Sequence, residues 1–271
     1  MAQTSSSAPR LLEANALSKL NFRDLGGMLM GDGRILRHGL IFRSEGPASF
    51  LDEHRSELGA MGFRTICDLR SPGEREAAPH DWCDPACRML HLELDTDLRG
   101  RRNDTWEDLR TEPTAEMLSL VLTATYRAMP DAILPHVRAM SSALLAGDTP
   151  MLIHCTAGKD RTGVVVALFL WLFGASEREI RADYAKTDPF MDNPPIRNSV
   201  EEVMIRGLGI RPSPEMMRLM LRIDEAHLML ALEEIAMRWG GIENYFAAGG
   251  VSSADQVKLR GVVLSPGATA P

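Results

Sequence analysis

Two apolar runs on either side of a short loop constrain the fold of this 271-residue chain more than any other feature. The first run, residues 151–153, is so brief that it is typical of a buried parallel strand. The second run, residues 164–173, is wholly apolar but far shorter than the roughly 20 residues that cross a membrane. The pattern therefore predicts a strand, a loop and a buried helix.

Hydrophobic periodicity predicts further helices and strands around this unit. Residues 51–61 place apolar side chains on one helical face, and Gly62 follows as a stop. The other predicted elements are strands at 63–69 and 88–94 and helices at 113–129 and 131–145. Residues 96–112 are polar and charged, so we interpret them as a loop of functional size. The alternation indicates an α/β fold with a central, mostly parallel sheet flanked by helices.

The C-terminal third is predicted to be helical. Ser176 precedes Glu179 by three residues, the spacing of a capping box, and Ser213-Pro214 suits the start of a later helix. We interpret the methionines of residues 215–239 as core packing, with a substrate-facing hydrophobic surface as the alternative. We expect a disordered tail at 1–17, without the apolar core of a signal peptide, and one domain at 18–271.

Charge and cysteine content restrict the partners and the compartment. The formal net charge of −7 and the pI of about 5.6 argue against bulk attraction to nucleic acid or to an anionic membrane. An anionic substrate must therefore be captured by a local site. The four cysteines match neither a disulfide framework nor a zinc pattern, so reduced thiols in the cytoplasm are expected, with secretion without a signal peptide as the alternative. The cysteines are Cys67, Cys83, Cys87 and Cys155.

The loop at residues 154–163 carries residue types that suit chemistry on a phosphate. At a helix N-terminus, free amides and the helix dipole favour an anion, and they also favour the thiolate form of a cysteine. Cys155 opens the loop and Arg161 closes it. The amides between them could surround a tetrahedral anion while the guanidinium binds two of its oxygens. We predict Cys155 as the nucleophile and Arg161 as the phosphate clamp.

The other loop residues are predicted to bind the phosphate or to support the two catalytic groups. A glycine at 158 lets the backbone turn close to a ligand, and one at 163 lets the helix pack near its neighbours. The hydroxyl of Thr162 is placed to reach the cysteine sulfur, and His154 is placed to brace the loop. The predicted substrate-binding residues are Thr156, Ala157, Gly158, Lys159, Thr162 and Gly163.

The ten residues His-Cys-Thr-Ala-Gly-Lys-Asp-Arg-Thr-Gly at 154–163 resemble the signature loop of the cysteine-dependent protein-tyrosine phosphatases. Together with Asn-Phe-Arg-Asp-Leu-Gly-Gly at 21–27 and Asp-Leu-Arg at 68–70, they look like the bacterial subgroup of atypical tyrosine and lipid phosphatases. Residues 240–245 also resemble that subgroup, so the resemblance covers about residues 18–265. It implies hydrolysis of phosphomonoesters through a phosphocysteine, with no metal or other cofactor.

The resemblance leaves several roles open. The larger family carries its general acid on a Trp-Pro-Asp loop, which this sequence lacks, although residues 106–108 (Trp-Glu-Asp) could imitate it. Asp160 is the better candidate because the subgroup is thought to use this loop aspartate, and its alternative role is to hold Arg161 in place. Lys159 suits a substrate with more than one phosphate, or it raises affinity for any phosphomonoester. Asp68 could help to orient the loop or the substrate, or be an ordinary cap at the end of a strand.

Phosphorylated proteins are the expected substrates, phosphotyrosine before phosphoserine and phosphothreonine, with phosphoinositides as the alternative. A nucleotide-binding P-loop is excluded because Asp160 and Ile153 stand where that pattern needs Ser or Thr and a glycine. A sulfurtransferase also places a cysteine between strand and helix, but Arg-Thr-Gly at 161–163 favours phosphate chemistry. A non-catalytic phosphate-binding protein is the non-enzyme alternative, although such chains more often lose Cys155 or Arg161.

Overall fold

The computed structural model describes residues 16–80, 82–94, 104–209 and 211–267. The expected tail lies outside the described residues up to position 15. Ala16–Lys19 forms a 3-10 turn in which Leu17 is buried among aromatic side chains, so the described fold begins before the predicted boundary at residue 18. No helix in these ranges combines the length and apolarity needed to span a membrane.

A central sheet of five strands confirms the predicted fold class. Its order is β1-β3-β6-β4-β5, and every pairing is parallel except that of the short edge strand β1 with β3. β2 and β7 form a separate antiparallel pair. The strands are β1 Arg23–Asp24, β2 Arg34–Leu36, β3 Ile41–Ser44, β4 Thr65–Asp68, β5 Arg88–His91, β6 Met151–His154 and β7 Leu264–Pro266.

Twelve α-helices lie within the described residues and surround this sheet. They are α1 Asp52–Ala60, α2 Pro72–Ala77, α3 Asp104–Thr111, α4 Ala115–Ile133, α5 Val137–Ala146, α6 Asp160–Phe173, α7 Glu177–Ala185, α8 Pro194–Leu208, α9 Pro214–Leu221, α10 Glu225–Trp239, α11 Ile242–Ala248 and α12 Ser253–Val263. The predicted caps are confirmed, because the Ser176 side chain accepts from the Glu179 amide at 3.3 Å and that of Ser213 from the Met216 amide at 3.2 Å. The C-terminal third is helical, as the sequence predicts.

Two local predictions are wrong. Part of the expected loop at 96–112 is helix α3, whose Leu109 is fully buried against the helices around it while most of its other side chains are charged, so no apolar periodicity marks it. The expected break between helices near residue 130 is also misplaced. α4 continues through Pro130 to Ile133, where the Pro130 carbonyl accepts from the Leu134 amide and from the Tyr245 hydroxyl.

The core positions the loop between β6 and α6. β6 is the middle strand and is buried along its length, and α6 is buried on nearly every face. This places Asp160, the first residue of α6, at the carboxyl edge of the parallel strands, where ligands bind in open α/β sheets. A second apolar cluster, rich in methionine, joins α3, α4, α8 and α9; its buried methionines are Met191, Met204, Met216 and Met217.

Candidate active site

The loop between β6 and α6 has backbone amides that are not used in hydrogen bonds among the described residues. Cys155 follows β6 directly, and its side chain is buried. The amides of residues 156–159 have no hydrogen-bond acceptor within the described part of the chain. Four unpaired amides at the N-terminus of a 14-residue helix form an anion-binding cradle.

The carbonyls of the loop bind to a group of four polar side chains that we call the loop base: Asn21, Arg23, Arg43 and Asp183. Asn21 Nδ2 donates to the carbonyls of Ala157 and Gly158, each at 3.2 Å, and Arg43 Nη2 donates to that of Gly158 at 2.7 Å. Because the carbonyls are held on this side, the amides turn to the other. Gly158 has a φ of +65°, and a Cβ there would lie 2.5 Å from the Ser44 carbonyl oxygen, so only glycine fits.

Buried charges stabilise the loop base. Asp183 Oδ2 lies 2.6 Å from Arg43 Nη1, and its Oδ1 lies 2.8 Å from Arg23 Nε. Burial works against the charge of Asp183, but the two arginines outweigh it and lower the pKa of this carboxyl. Asn21 and Arg23 belong to the motif at 21–27 that the sequence analysis noted. Arg43 and Asp183 were missed because they lie far from the loop in sequence.

Arg161 is held by Glu74, a carboxylate on α2 that sequence reasoning missed. Both oxygens of Glu74 bind the guanidinium at 2.8 Å, and the Thr156 hydroxyl donates to the same carboxylate. Burial opposes the charge of Arg161, but the Glu74 hydrogen bonds and the nearby charges of Cys155, Glu74 and Asp160 raise its pKa. Burial also opposes the charge of Glu74, yet the contacts with Arg161 lower its pKa. The guanidinium is therefore held in one orientation by hydrogen bonds from Nη1 and Nη2 to Glu74, the Leu69 carbonyl and the Thr156 hydroxyl.

The available sequence signal for Glu74 is local. Ser71 stands three residues before it, and the two form a capping box in which the Ser71 amide donates to Glu74 at 2.9 Å. This box fixes the start of α2 shortly after β4. The glutamate is thereby carried to the edge of the sheet where Arg161 lies.

The side chains of Asp160 and Lys159 contact helices α4 and α9, respectively. Asp160 Oδ1 accepts a hydrogen bond from the Tyr126 hydroxyl and lies 3.4 Å from Lys159 Nζ. Lys159 Nζ itself donates to the carbonyls of Met220 at 2.6 Å and Arg222 at 3.1 Å. The lysine is thus bound to the end of α9 instead of being free as a second cation for phosphate. We call α8 and α9 the helical rim.

His154 braces the loop through a chain of polar contacts. Its Nδ1 lies 3.0 Å from the Cys155 carbonyl oxygen, and its Nε2 lies 2.9 Å from His80 Nε2. Burial lowers the pKa of His154 to about 3, so the ring is neutral near pH 7. Asp68 lies 3.3 Å from His80 Nε2 and binds the Arg70 side chain with both oxygens. Asp68 therefore acts on the loop through the two histidines.

Asp68, His80 and His154 are the one group within the described residues whose ligand atoms lie close enough to hold a metal ion, all within 4.8 Å of one another. Both carboxylate oxygens of Asp68 are already bound by the Arg70 guanidinium. A cation at this position would stand beside that fixed positive charge. The histidine pair is explained by hydrogen bonding, and no chemical step is assigned to a metal here.

The remaining candidate residues lie in or near the loop. Thr162 is buried, and its hydroxyl has no hydrogen-bond partner in the described part of the chain, so the expected contact with the cysteine sulfur is not made. Gly163 packs against a tyrosine, since a Cβ there would lie 2.6 Å from Tyr184 Cε2. Residues 106–108 lie on helix α3, and Asp160 is the first residue of α6, directly after the loop.

A cavity of about 300 Å³ opens beside the loop. Its lining includes Thr156 and Glu74 at the loop and several side chains of α8. Its two arginines, Arg70 and Arg206, both have carboxylate partners, Asp68 at 2.8 Å and Glu202 at 4.0 Å. The cavity is large enough for an aromatic side chain and adds no unpaired cation from the described residues.

The structure is thus an α/β fold with a strand, a loop of free amides and a helix at the carboxyl edge of the parallel strands, and Cys155 and Arg161 lie at the two ends of that loop. A sequence model described as the tyrosine phosphatase family matches residues 15–265. The chain therefore belongs to the tyrosine phosphatase family and is an enzyme, a phosphatase that acts on phosphorylated substrates.

Three relatives are named as phosphatases. The chain is 29% identical over 253 residues to a protein of Cupriavidus necator named as a tyrosine-protein phosphatase, a match that covers 90% of this chain and 86% of that one. It is 27% identical over 282 residues to the triple specificity protein phosphatase PtpB of Mycobacterium tuberculosis, covering 90% and 96%. A tyrosine-protein phosphatase of Nostoc commune is 26% identical over 225 residues, covering 77% and 69%.

Proposed function

We propose that the chain is a protein-tyrosine phosphatase in which Cys155 is the nucleophile, Arg161 the phosphate clamp and Asp160 the general acid. The observation that carries the proposal is the loop itself. Its amides at 156–159 are unpaired within the described residues, with Cys155 at one end and the Glu74-oriented Arg161 at the other. A phosphate bound there would meet the sulfur, the amides and the guanidinium together.

The first step transfers the phosphoryl group to the enzyme. The Cys155 thiolate attacks phosphorus, so that an S–P bond forms as the P–O bond to the leaving group breaks. Asp160 gives its proton to the leaving oxygen, which departs as an alcohol or phenol. Arg161 and the loop amides stabilise the charge on the three remaining phosphate oxygens.

The second step restores the enzyme. Water attacks the phosphorus of the phosphocysteine, the S–P bond breaks, and the electron pair returns to Cys155 as thiolate. Asp160, now ionised, takes the proton from the attacking water. Inorganic phosphate is released, and the aspartate is again protonated for the next cycle.

Phosphotyrosine in proteins is the substrate that the surroundings support best, with phosphoserine and phosphothreonine as further substrates. Lys159, the cation that would favour several phosphates, is bound to carbonyls of the helical rim. Arg70 is paired with Asp68, and Arg206 lies near Glu202. A single phosphomonoester on an aromatic group therefore suits the site better than a phosphoinositide. Action in the cytoplasm is part of the proposal and is supported by the four free thiols.

Parallel assays with phosphotyrosine, phosphoserine and phosphothreonine peptides and with short-chain phosphoinositides test the substrate class. We expect the highest kcat/KM on phosphotyrosine, inhibition by vanadate and no inhibition by EDTA. A strong preference for the lipids would reverse the order of substrates. Inhibition by EDTA would contradict the mechanism.

Replacement of the nucleophile tests the chemistry. Cys155→Ser should lower kcat by at least about a thousandfold because the hydroxyl is a far weaker nucleophile, while binding of vanadate survives. Cys87→Ser is the matched control and should keep full activity, since Cys87 precedes β5 at the amino edge of the parallel strands, opposite to the loop. Retained turnover in Cys155→Ser would eliminate the proposed mechanism.

A further inference from the structure

One oxygen of Asp160 is already occupied. Oδ1 receives the Tyr126 hydroxyl hydrogen and lies 3.4 Å from the Lys159 ammonium, whereas Oδ2 makes no hydrogen bond or ion pair with the described residues. The Asp160 side chain is 31% exposed, so solvent and substrate reach the carboxyl. The two oxygens of the proposed acid therefore differ in their surroundings.

The phenol that contacts Asp160 is backed by a second one. The hydroxyls of Tyr126 on α4 and Tyr184 on α7 lie 2.7 Å apart. A phenol has one hydrogen, and that of Tyr126 points to the carboxylate, so the hydrogen between the two phenols comes from Tyr184. Burial and the charge of Asp160 raise the pKa of Tyr126 well above its ordinary value. Tyr126 therefore stays protonated and acts as a donor.

Packing fixes both rings. The Tyr126 ring stacks on the His227 imidazole with centroids 5.1 Å apart and planes 18° apart. Tyr184 lies against Gly163, where a side chain would collide with the ring. Both tyrosines are buried, so neither ring has room to turn the hydroxyl away. Helices α4 and α7, together with Gly163, thus hold the Tyr126 hydroxyl in place.

We propose that Tyr126, supported by Tyr184, is a positioning residue that keeps Oδ1 of Asp160 occupied, so that the proton delivered to the leaving group is carried on Oδ2. This inference rests on the proposed function, because it needs Asp160 to be the general acid. Without the phenol, only the Lys159 ammonium, 3.4 Å from Oδ1, still distinguishes the two oxygens, so the carboxyl turns more easily about its last torsion and more often carries its proton on Oδ1. A smaller fraction of bound complexes then has the acid aligned with the leaving oxygen.

The test compares a poor and a good leaving group. In Tyr126→Phe, kcat/KM should fall roughly tenfold for phenyl phosphate, which needs the proton, and less than about twofold for 4-nitrophenyl phosphate, which does not. Tyr184→Phe should show the same pattern with a smaller loss. Tyr245→Phe is the matched control: its buried hydroxyl donates to the Pro130 carbonyl at 2.7 Å, and both substrates should be unaffected.

A double variant separates positioning from a structural role. In an Asp160→Asn background, Tyr126→Phe should no longer change the ratio of the two substrates, because no acid remains to be aligned. The inference would be overturned by equal losses on both substrates in Tyr126→Phe, or by a change in the ratio that persists in the Asp160→Asn background. If Tyr126→Phe does not fold, Tyr184→Phe decides by the same ratio. Absence of turnover in the unaltered enzyme on either ester would instead defeat the proposed function itself.

Discussion

Gly158 and Lys159 are neighbours in the loop between β6 and α6, yet they contact two regions that are built differently. The Gly158 carbonyl is bound by the loop base, where Arg43 is fully buried and paired with Asp183. Lys159 is bound by the helical rim, through two carbonyls at the end of α9. Of these two adjacent residues, Gly158 therefore contacts buried charged side chains, and Lys159 contacts the end of a helix.

The difference indicates how rigid each region is. Buried ion pairs have a single good geometry, since a displaced partner leaves a charge unpaired in a medium that cannot solvate it. The helical rim is packed instead by methionines such as Met204 and Met216, whose flexible side chains tolerate rearrangement. We infer that the loop base fixes the catalytic geometry, while the rim is the part that adapts to the substrate.

The largest effect is expected when the loop base is broken. Arg43→Ala leaves Asp183 buried with one arginine instead of two and removes the donor to the Gly158 carbonyl. The free energy of unfolding should fall by about 3–5 kcal/mol, the usual cost of breaking a buried ion pair. Urea denaturation followed by circular dichroism measures it.

An exposed ion pair provides the control for this variant. Arg238 binds Asp131 through Nη1 and Nη2, and the two side chains are 43% and 42% exposed. Arg238→Ala should therefore cost less than about 1 kcal/mol. If the two substitutions cost the same, the loop base is no more rigid than the surface, and the contrast with the rim fails.

The same contrast explains which parts can be predicted from sequence. The strand, loop and helix around Cys155 are contiguous, so apolar runs and the spacing to Arg161 are sufficient to predict them. Glu74 and Arg43 reach the loop across 87 and 115 residues, and their partners are fixed by the order of strands in the sheet. Hydrophobic periodicity carries no information about such pairings.

The errors have local physical causes. Helix α3 buries Leu109 amid charged residues, so a pattern of apolar residues cannot reveal it. The sequence-based expectation that Lys159 binds phosphate stays a prediction, while in the structure its ammonium lies at the end of α9. The carbonyls at the end of α9 also need donors, and the fold brings that of Met220 to 2.6 Å from the ammonium.

Glu45 accepts a hydrogen bond from the backbone amide of Asn21, a member of the loop base, and should make the stability of this region depend on pH. Burial raises the pKa of Glu45 to about 7, although the Asn21 amide and Ser49 donate to it. The folded protein holds this proton more tightly than the unfolded chain, so the stabilisation is complete below pH 4.5 and is lost as the pH rises through about 7. The total change should be at most about 3 kcal/mol.

Glu45→Gln should remove this dependence because the amide cannot ionise and still accepts from Asn21. The difference in unfolding free energy between wild type and variant should therefore shift in favour of the variant as the pH is raised from about 5 to about 8. Glu233→Gln, at an exposed position on α10, is the control. The difference in unfolding free energy between wild type and this variant should be the same at both pH values. A constant difference for Glu45→Gln would mean that Glu45 ionises in the folded protein as it does in the unfolded chain.

The smallest effect on overall stability is expected at the helical rim. Lys159→Met keeps the aliphatic stem and removes the two hydrogen bonds to the Met220 and Arg222 carbonyls. Carbonyls at a helix end can turn to water, so the free energy of unfolding should fall by only about 1 kcal/mol. The effect should be concentrated in the rim, where we expect amide hydrogen exchange of α8 and α9 to become roughly tenfold faster.

Lys186→Met, at an exposed lysine after α7, is the control and should change neither quantity. The informative measurement is where the exchange changes, because a loss spread evenly over β6, α6 and the rim would show that Lys159 supports the whole loop. Faster exchange confined to α8 and α9 would show that one lysine joins an adaptable region to a rigid one. Unchanged exchange in both helices would mean that methionine packing alone holds the rim. The Lys159 hydrogen bonds would then not contribute to the difference between the two regions.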